Sequence, residues 1–187
     1  MRAATATEQS ANESAGRAGT GARPASVESL VAEVKERMGE EWPPRIYRER
    51  VLQMRTRSHA IPQLTKNAGV EILHTLLGIE LKVGRRRISC PDLATARYLS
   101  VFARAGAMEV AVPYDITKIS RLADELESAW QRLLLLAEHV TRGRAAATRS
   151  RVRAAVVKEA RREIEEAGAG TAVPQFNQNT RQRPQRI

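Results

Sequence analysis

One cysteine in 187 residues, and aromatic side chains making up only 4% of the chain, set the first limits on what it can be. With Cys90 alone, no intrachain disulfide and no cysteine-rich zinc site can form, and a reducing, cytoplasmic setting is the simple expectation. The scarcity of aromatics leaves an apolar fraction of 42%, much of it alanine, to build a core from Leu, Ile and Val. No apolar run approaches the roughly 18 residues that span a bilayer. The longest, Leu133 to Ala137, is far too short, so no membrane partner is expected. The N-terminus has no apolar stretch of the kind a secretory signal needs, and Glu8 and Glu13 argue against an organellar transit peptide.

Acidic residues are also short in supply, 21 Asp and Glu against 31 Lys and Arg, for a formal charge of +10. Such an excess repels itself unless an anionic partner or counterions offset it. It is unevenly placed. Residues 61–90 hold five cations and two acids and residues 143–187 hold ten and four, while 91–142 is close to neutral.

The chain divides accordingly. Residues 1–26 are Ala-, Gly- and Ser-rich with almost nothing to bury, and read as a disordered tail. Residues 27–43 form a short helix and linker, with Ser26 as N-cap, Val27, Leu30, Val31 and Val34 at helical spacing, and Gly39 as the stop. Residues 44–142 are the expected folded domain. Pro43-Pro44 starts a helix marked by Ile46, Tyr47, Val51 and Met54 that runs to about Ser58. Leu64, Ala68, Ile72, Leu73, Leu76 and Leu77 fit another helix capped by Gly78, with a strand as the alternative because Gly69 interrupts it.

Ile79, Leu81 and Val83 alternate with Glu80 and Lys82, and Gly84-Arg85 suits a two-residue hairpin turn. That turn sets Val83 against Arg86, Lys82 against Arg87, Leu81 against Ile88 and Ile79 against Cys90, with the apolar members on one face. A helix from Asp92 to Gly106 and a strand Met108–Val112 complete a βαβ unit, expected to be parallel and right-handed. Asp115 opens the strongest helix, with Ile119, Leu122, Leu126, Trp130, Leu133, Ala137 and Val140 in one stripe. The expected class is therefore α+β, a small three-stranded mixed sheet of hairpin plus βαβ unit with flanking helices. Residues 143–167 read as a basic helical extension that projects from the domain, and 168–187 as a disordered basic tail.

Two basic constellations stand out. At the hairpin tip, Lys82, Arg85, Arg86 and Arg87 cluster, and the Lys82–Arg87 cross-strand pair costs stability unless an anion such as phosphate bridges it or Glu80 compensates diagonally. On the extension, Arg144, Arg151, Lys158 and Arg162 share a narrow helical arc, although Glu159, Glu163 and Glu166 lie on the same element. Both suit a nucleic-acid backbone, DNA or RNA, with little sequence specificity. The competing reading is a protein-binding or oligomerisation module on the 115–141 helix, because Leu135 and Leu136 lie off its core stripe and need a second contact.

Enzymatic readings each meet an obstacle. Glu80-Leu81-Lys82 has the form of the E-x-K element of metal-dependent nucleases, but that chemistry needs an earlier Asp and none precedes Asp92. Strand alternation accounts for the triplet, and the nuclease is kept only as a third reading. His59, His74 and His139 have no ligand spacing, and Cys90 has no base beside it, so no catalytic residue, metal or cofactor is expected.

Overall fold

The computed structural model describes residues 26–63 and 69–170. The tails expected at 1–26 and 168–187 lie outside these residues apart from Ser26 and Gly168–Gly170. Helix α1 (Val27–Met38) begins as its sequence dictates: the Ser26 hydroxyl accepts from the Ser29 amide at 3.1 Å, and Gly39, at φ 53°, ends it. Leu30, Val34 and Met38, four residues apart, form its buried stripe. After a 3₁₀ turn, Pro43 and Pro44 start the short α2 (Pro43–Ile46), which widens into a π-helical turn over Tyr47–Val51.

The helix expected to reach Ser58 stops there. Thr56–Ala60 is strand β1, because it gains a ladder with β5 (Glu109–Pro113) that outweighs helical propensity. The helix expected across 64–77 also gives way, among the described residues, to the strand alternative. Val70–Thr75 is β2, with Val70 and Ile72 on one face and Glu71 on the other.

Strand β3 (Gly78–Val83) and strand β4 (Arg86–Cys90) form the expected hairpin around Gly84-Arg85 in the expected register, with Gly84 at φ 61°. Together β2, β3 and β4 make an antiparallel meander, and β1 and β5 make a separate two-stranded antiparallel sheet. The α+β class stands, but the parallel βαβ unit does not form. Helix α3 (Leu93–Ala105), capped by Asp92, carries the chain from β4 to β5 and into the other sheet. The reason lies in burial. Val110, Ala111 and Val112 are fully buried, whereas the free side of β4 presents exposed Arg87 and Ser89. A strand buried on both faces cannot sit beside that edge without drawing the cations inside.

The second edge of β5 is closed by side chains instead. Tyr47 Oη accepts from the Ala111 amide at 2.8 Å, and Tyr98 Oη donates to the Ala111 carbonyl at 2.7 Å. Tyr47 also donates to the Gly168 carbonyl at 2.7 Å. Both rings pack against Phe102, with centroids 5.4 and 5.0 Å away. Most of the chain's few aromatics are thus spent on this junction and on Trp42 and Trp130, which are also buried.

Helix α4 (Ile116–Val140) buries the expected stripe from Ile119 to Ala137, with Leu126 and Leu133 fully enclosed and Val140 half-buried at its end. Helix α5 (Ala146–Ala167) does not project. It folds back across α1, α2, α3 and α4 and buries Val152, Val156, Ala160 and Ile164, each four residues from the next. The stripe is thin as sequence because one of its four members is alanine. A small residue at that position lets the helix lie close to its neighbours, and α1 is clamped between α4 and α5 rather than loosely attached. The core therefore extends from α1 through α5, beyond the 44–142 limits read from periodicity. Among the described residues no helix is long and apolar enough to cross a membrane.

Candidate functional site

At the β3–β4 tip, Lys82 faces Arg87 as expected, but neither needs an external anion. Lys82 Nζ lies 3.0 Å from a Glu71 carboxylate oxygen on β2, and Arg87 lies 3.3 Å from Glu80. Across the outer face runs a row of one acid and two cations, Glu71, Lys82 and Arg87, with a second acid, Glu80, diagonal to Arg87. Only a strand at 70–75 brings Glu71 into this row; the helix expected across 64–77 would not. Arg85 and Arg86 are exposed and have no ion pair among the described residues.

The arc on α5 is also divided. Arg144 precedes the helix, in the turn that follows Thr141, with its amide 3.0 Å from the Thr141 carbonyl. Arg162 is held between Glu159 and Glu166, hydrogen bonds that push its pKa still higher. Arg151 and Lys158 are exposed without an ion pair among the described residues. Of the eight predicted cations, Lys82, Arg87 and Arg162 are thus paired with acids, and Arg85, Arg86, Arg144, Arg151 and Lys158 have no ion pair among the described residues.

The larger basic surface lies between α4 and α5 and includes residues the two arcs omit. From His139 to Lys158 there is no Asp or Glu, but there are Arg142, Arg144, Arg149, Arg151, Arg153 and Lys158. Among the described residues, Arg153 alone of these forms an ion pair, with Glu138 at 3.5 Å. An open groove of about 400 Å³ runs along this corner, lined by Ala137, Glu138, Ala146, Arg149, Ser150 and Arg153. The corner joins the carbonyl end of α4 to the amide end of α5, whose dipoles oppose one another, so the positive charge there comes from the arginine and lysine side chains. The signal for Arg142 and Arg149 is the acid-free run itself, which a search for one helical arc passes over.

The partner-binding leucines separate too. Leu135 is 66% exposed, whereas Leu136 is half-buried against the chain's own core. The second contact its position calls for is supplied by this core.

The groups weighed for catalysis serve structure. Asp92 accepts from the Thr95 amide at 2.7 Å and its hydroxyl at 3.1 Å, Glu80 pairs with Arg87, and Lys82 with Glu71. Cys90 is buried, which raises its thiol pKa and disfavours the thiolate. His59 lies on β1, His74 on β2 and His139 at the end of α4, and no group of three or more His, Cys, Asp or Glu among the described residues could hold a metal ion. No protein-family model, curated protein or solved structure matches the chain.

Proposed function

We propose that the chain binds nucleic acid through the phosphate backbone, with the α4–α5 corner as its main contact and Arg85–Arg86 as a second. The observation that carries this reading is the acid-free run from His139 to Lys158, whose Arg142, Arg144, Arg149, Arg151 and Lys158 have no ion pair among the described residues. Elsewhere the fold pairs cations with acids readily: Arg97 with Asp124 and Glu127, Arg50 with Glu125, Arg132 with Glu41. Leaving one corner unmatched stores a local excess of positive charge that a polyanion relieves and releases counterions in doing so. The contact groups are surface arginines, which position a backbone without reading base edges. The competing protein-binding reading of α4 rests on Leu135 alone, and a single exposed leucine is ordinary for a protein surface.

The test is an anisotropy titration of the full chain against duplex DNA, single-stranded RNA and heparin at several salt concentrations, with lysozyme as a charge control. Replacing Arg142, Arg144, Arg149 and Arg151 by Ala weakens binding to all sequences alike and flattens the log–log salt slope by roughly 0.7–0.9 for each phosphate no longer neutralised. Binding no tighter than the control, or unchanged in the variant, overturns the reading.

A further inference from the structure

The two free edges of the β2-β3-β4 sheet are built differently. In β3–β4 the closing pair is Val83 and Arg86, so Arg87 and Ser89 turn their amides and carbonyls outward, with arginine side chains along that edge. A cationic edge of this kind resists pairing with another strand. On the other side, the Gly84 amide donates to the Gly69 carbonyl at 3.0 Å, which sets the odd residues of β2 as the ones bonded to β3. The even residues Val70, Ile72 and His74 therefore present their backbone groups outward, and no backbone bond from them to another described residue closes that edge.

The β2 edge carries no cation. Its segment, Val70-Glu71-Ile72-Leu73-His74-Thr75, is rich in strand-forming residues, and it leads into Leu76 and Leu77, which are 106% and 96% exposed. Two leucines in a two-residue hairpin turn are unexpected, since such turns favour Gly, Asn and Asp. The edge is also self-complementary. An antiparallel pairing centred on Ile72 sets Ile72 against the partner's Ile72, and Val70 against the partner's His74, with every outward amide and carbonyl of those residues matched. Because the register joins residues of the same parity, the apolar face of Val70, Ile72 and Leu81 that lies on α3 continues from one copy into the next.

We infer that two copies of this chain associate through β2, joining their three-stranded sheets into one antiparallel sheet and bringing Leu76 and Leu77 of each copy toward the start of the other's β2. This association is independent of the nucleic-acid reading and differs from it in sign with salt. Two copies each carrying +10 repel, so added salt favours the dimer while it weakens polyanion binding.

The experiment is analytical ultracentrifugation of the full chain across a concentration and salt series. The parent sediments at twice the chain mass, with the dimer fraction steady or rising as salt is added. His74→Pro removes an outward amide that has no backbone partner among the described residues, and His74→Lys gives the edge the cation it lacks; both shift the species to monomer with an unchanged circular dichroism spectrum. Ser89→Pro, on the opposite edge, leaves the dimer intact. A parent that stays monomeric at all concentrations, or a dimer that survives both His74 variants or is broken instead by Ser89→Pro, overturns the inference; should His74→Pro fail to fold, His74→Lys decides alone.

Discussion

Trp42 Nε1 donates to Glu163 Oε2 at 3.0 Å, joining the start of α2 to the last turns of α5 across 121 positions of sequence. The other carboxylate oxygen accepts from Lys35 Nζ at 2.5 Å, and that ammonium also lies 5.8 Å from the Trp42 ring centroid. One carboxylate, itself 8% exposed, thus holds α1, α2 and α5 together. Lys35 is nearly half exposed, so water can take over its charge if the acid is removed, whereas the indole N–H cannot be resolvated without opening the core. Glu163→Ala is expected to cost roughly 1–3 kcal/mol by chemical denaturation, the range for stranding a buried donor. Glu163→Gln keeps an acceptor for Trp42 and should cost less. Equal destabilisation in the two variants would mean that the Lys35 charge, not the indole bond, carries the effect.

Alkaline pH should strike at the β5 junction. Burial pushes the Tyr47 phenol up to about 12 and Tyr98 in the same direction, since a phenolate would sit in the core. In the unfolded chain both titrate near 10. Between these values the native state holds protons that the unfolded state has released, so stability is complete below about pH 10 and falls as pH rises toward 12. Urea unfolding followed from pH 8 to 12 should show that fall. Tyr47→Phe should lower stability at neutral pH by roughly 0.5–3 kcal/mol through the unsatisfied Ala111 amide and Gly168 carbonyl, and make the alkaline fall shallower.

The stripe of α4 gives a graded series. Leu126 is fully buried, and Leu126→Ala should cost roughly 2–5 kcal/mol. Leu135, 66% exposed, should change stability by less than about 0.5 kcal/mol on the same substitution. Leu136→Ala should fall between them and leave the oligomeric state alone, because its side chain meets the chain's own core. Sedimentation and denaturation of the three variants check all of this.

The elements legible in the sequence are those whose signals are local. The cap at Ser26, the helix starts at Asp92 and Asp115, the stripe of α4 and the Gly84-Arg85 register depend on residues a few positions apart, and each stands as read. What escapes such a reading depends on pairing across distance. Thr56–Ala60 is a strand because Glu109–Pro113 lies beside it, and β5, paired with β1 rather than β4, has its other edge closed by Tyr47 and Tyr98. The site follows the same rule. Arg85, Arg144 and Arg151 are visible as charges, but whether a cation is free depends on partners such as Glu71 for Lys82, which only the folded sheet identifies.

Truncation should behave differently from what the charge map alone suggests. If α5 were a projecting basic arm, removing 146–187 would weaken polyanion binding and spare the fold. In the structure that cut takes out buried Val152, Val156, Ala160 and Ile164 and uncovers the faces of α1 and α4 on which they rest. Three large aliphatic side chains at roughly 1.5–3 kcal/mol each already rival the 5–15 kcal/mol by which a typical domain is stable. The truncated chain should lose cooperative unfolding and give exchange-broadened NMR spectra, and limited proteolysis of the intact chain should yield a resistant fragment reaching from α1 through α5 rather than 44–142 alone. Binding and folding can then be separated only by changing charge in place. Arg151→Glu and Lys158→Glu alter exposed side chains on the far side of the same helix, so thermal unfolding should hardly move while affinity for DNA, RNA and heparin falls together. A stable, cooperatively folding 1–145 fragment would show that α5 is not part of the core.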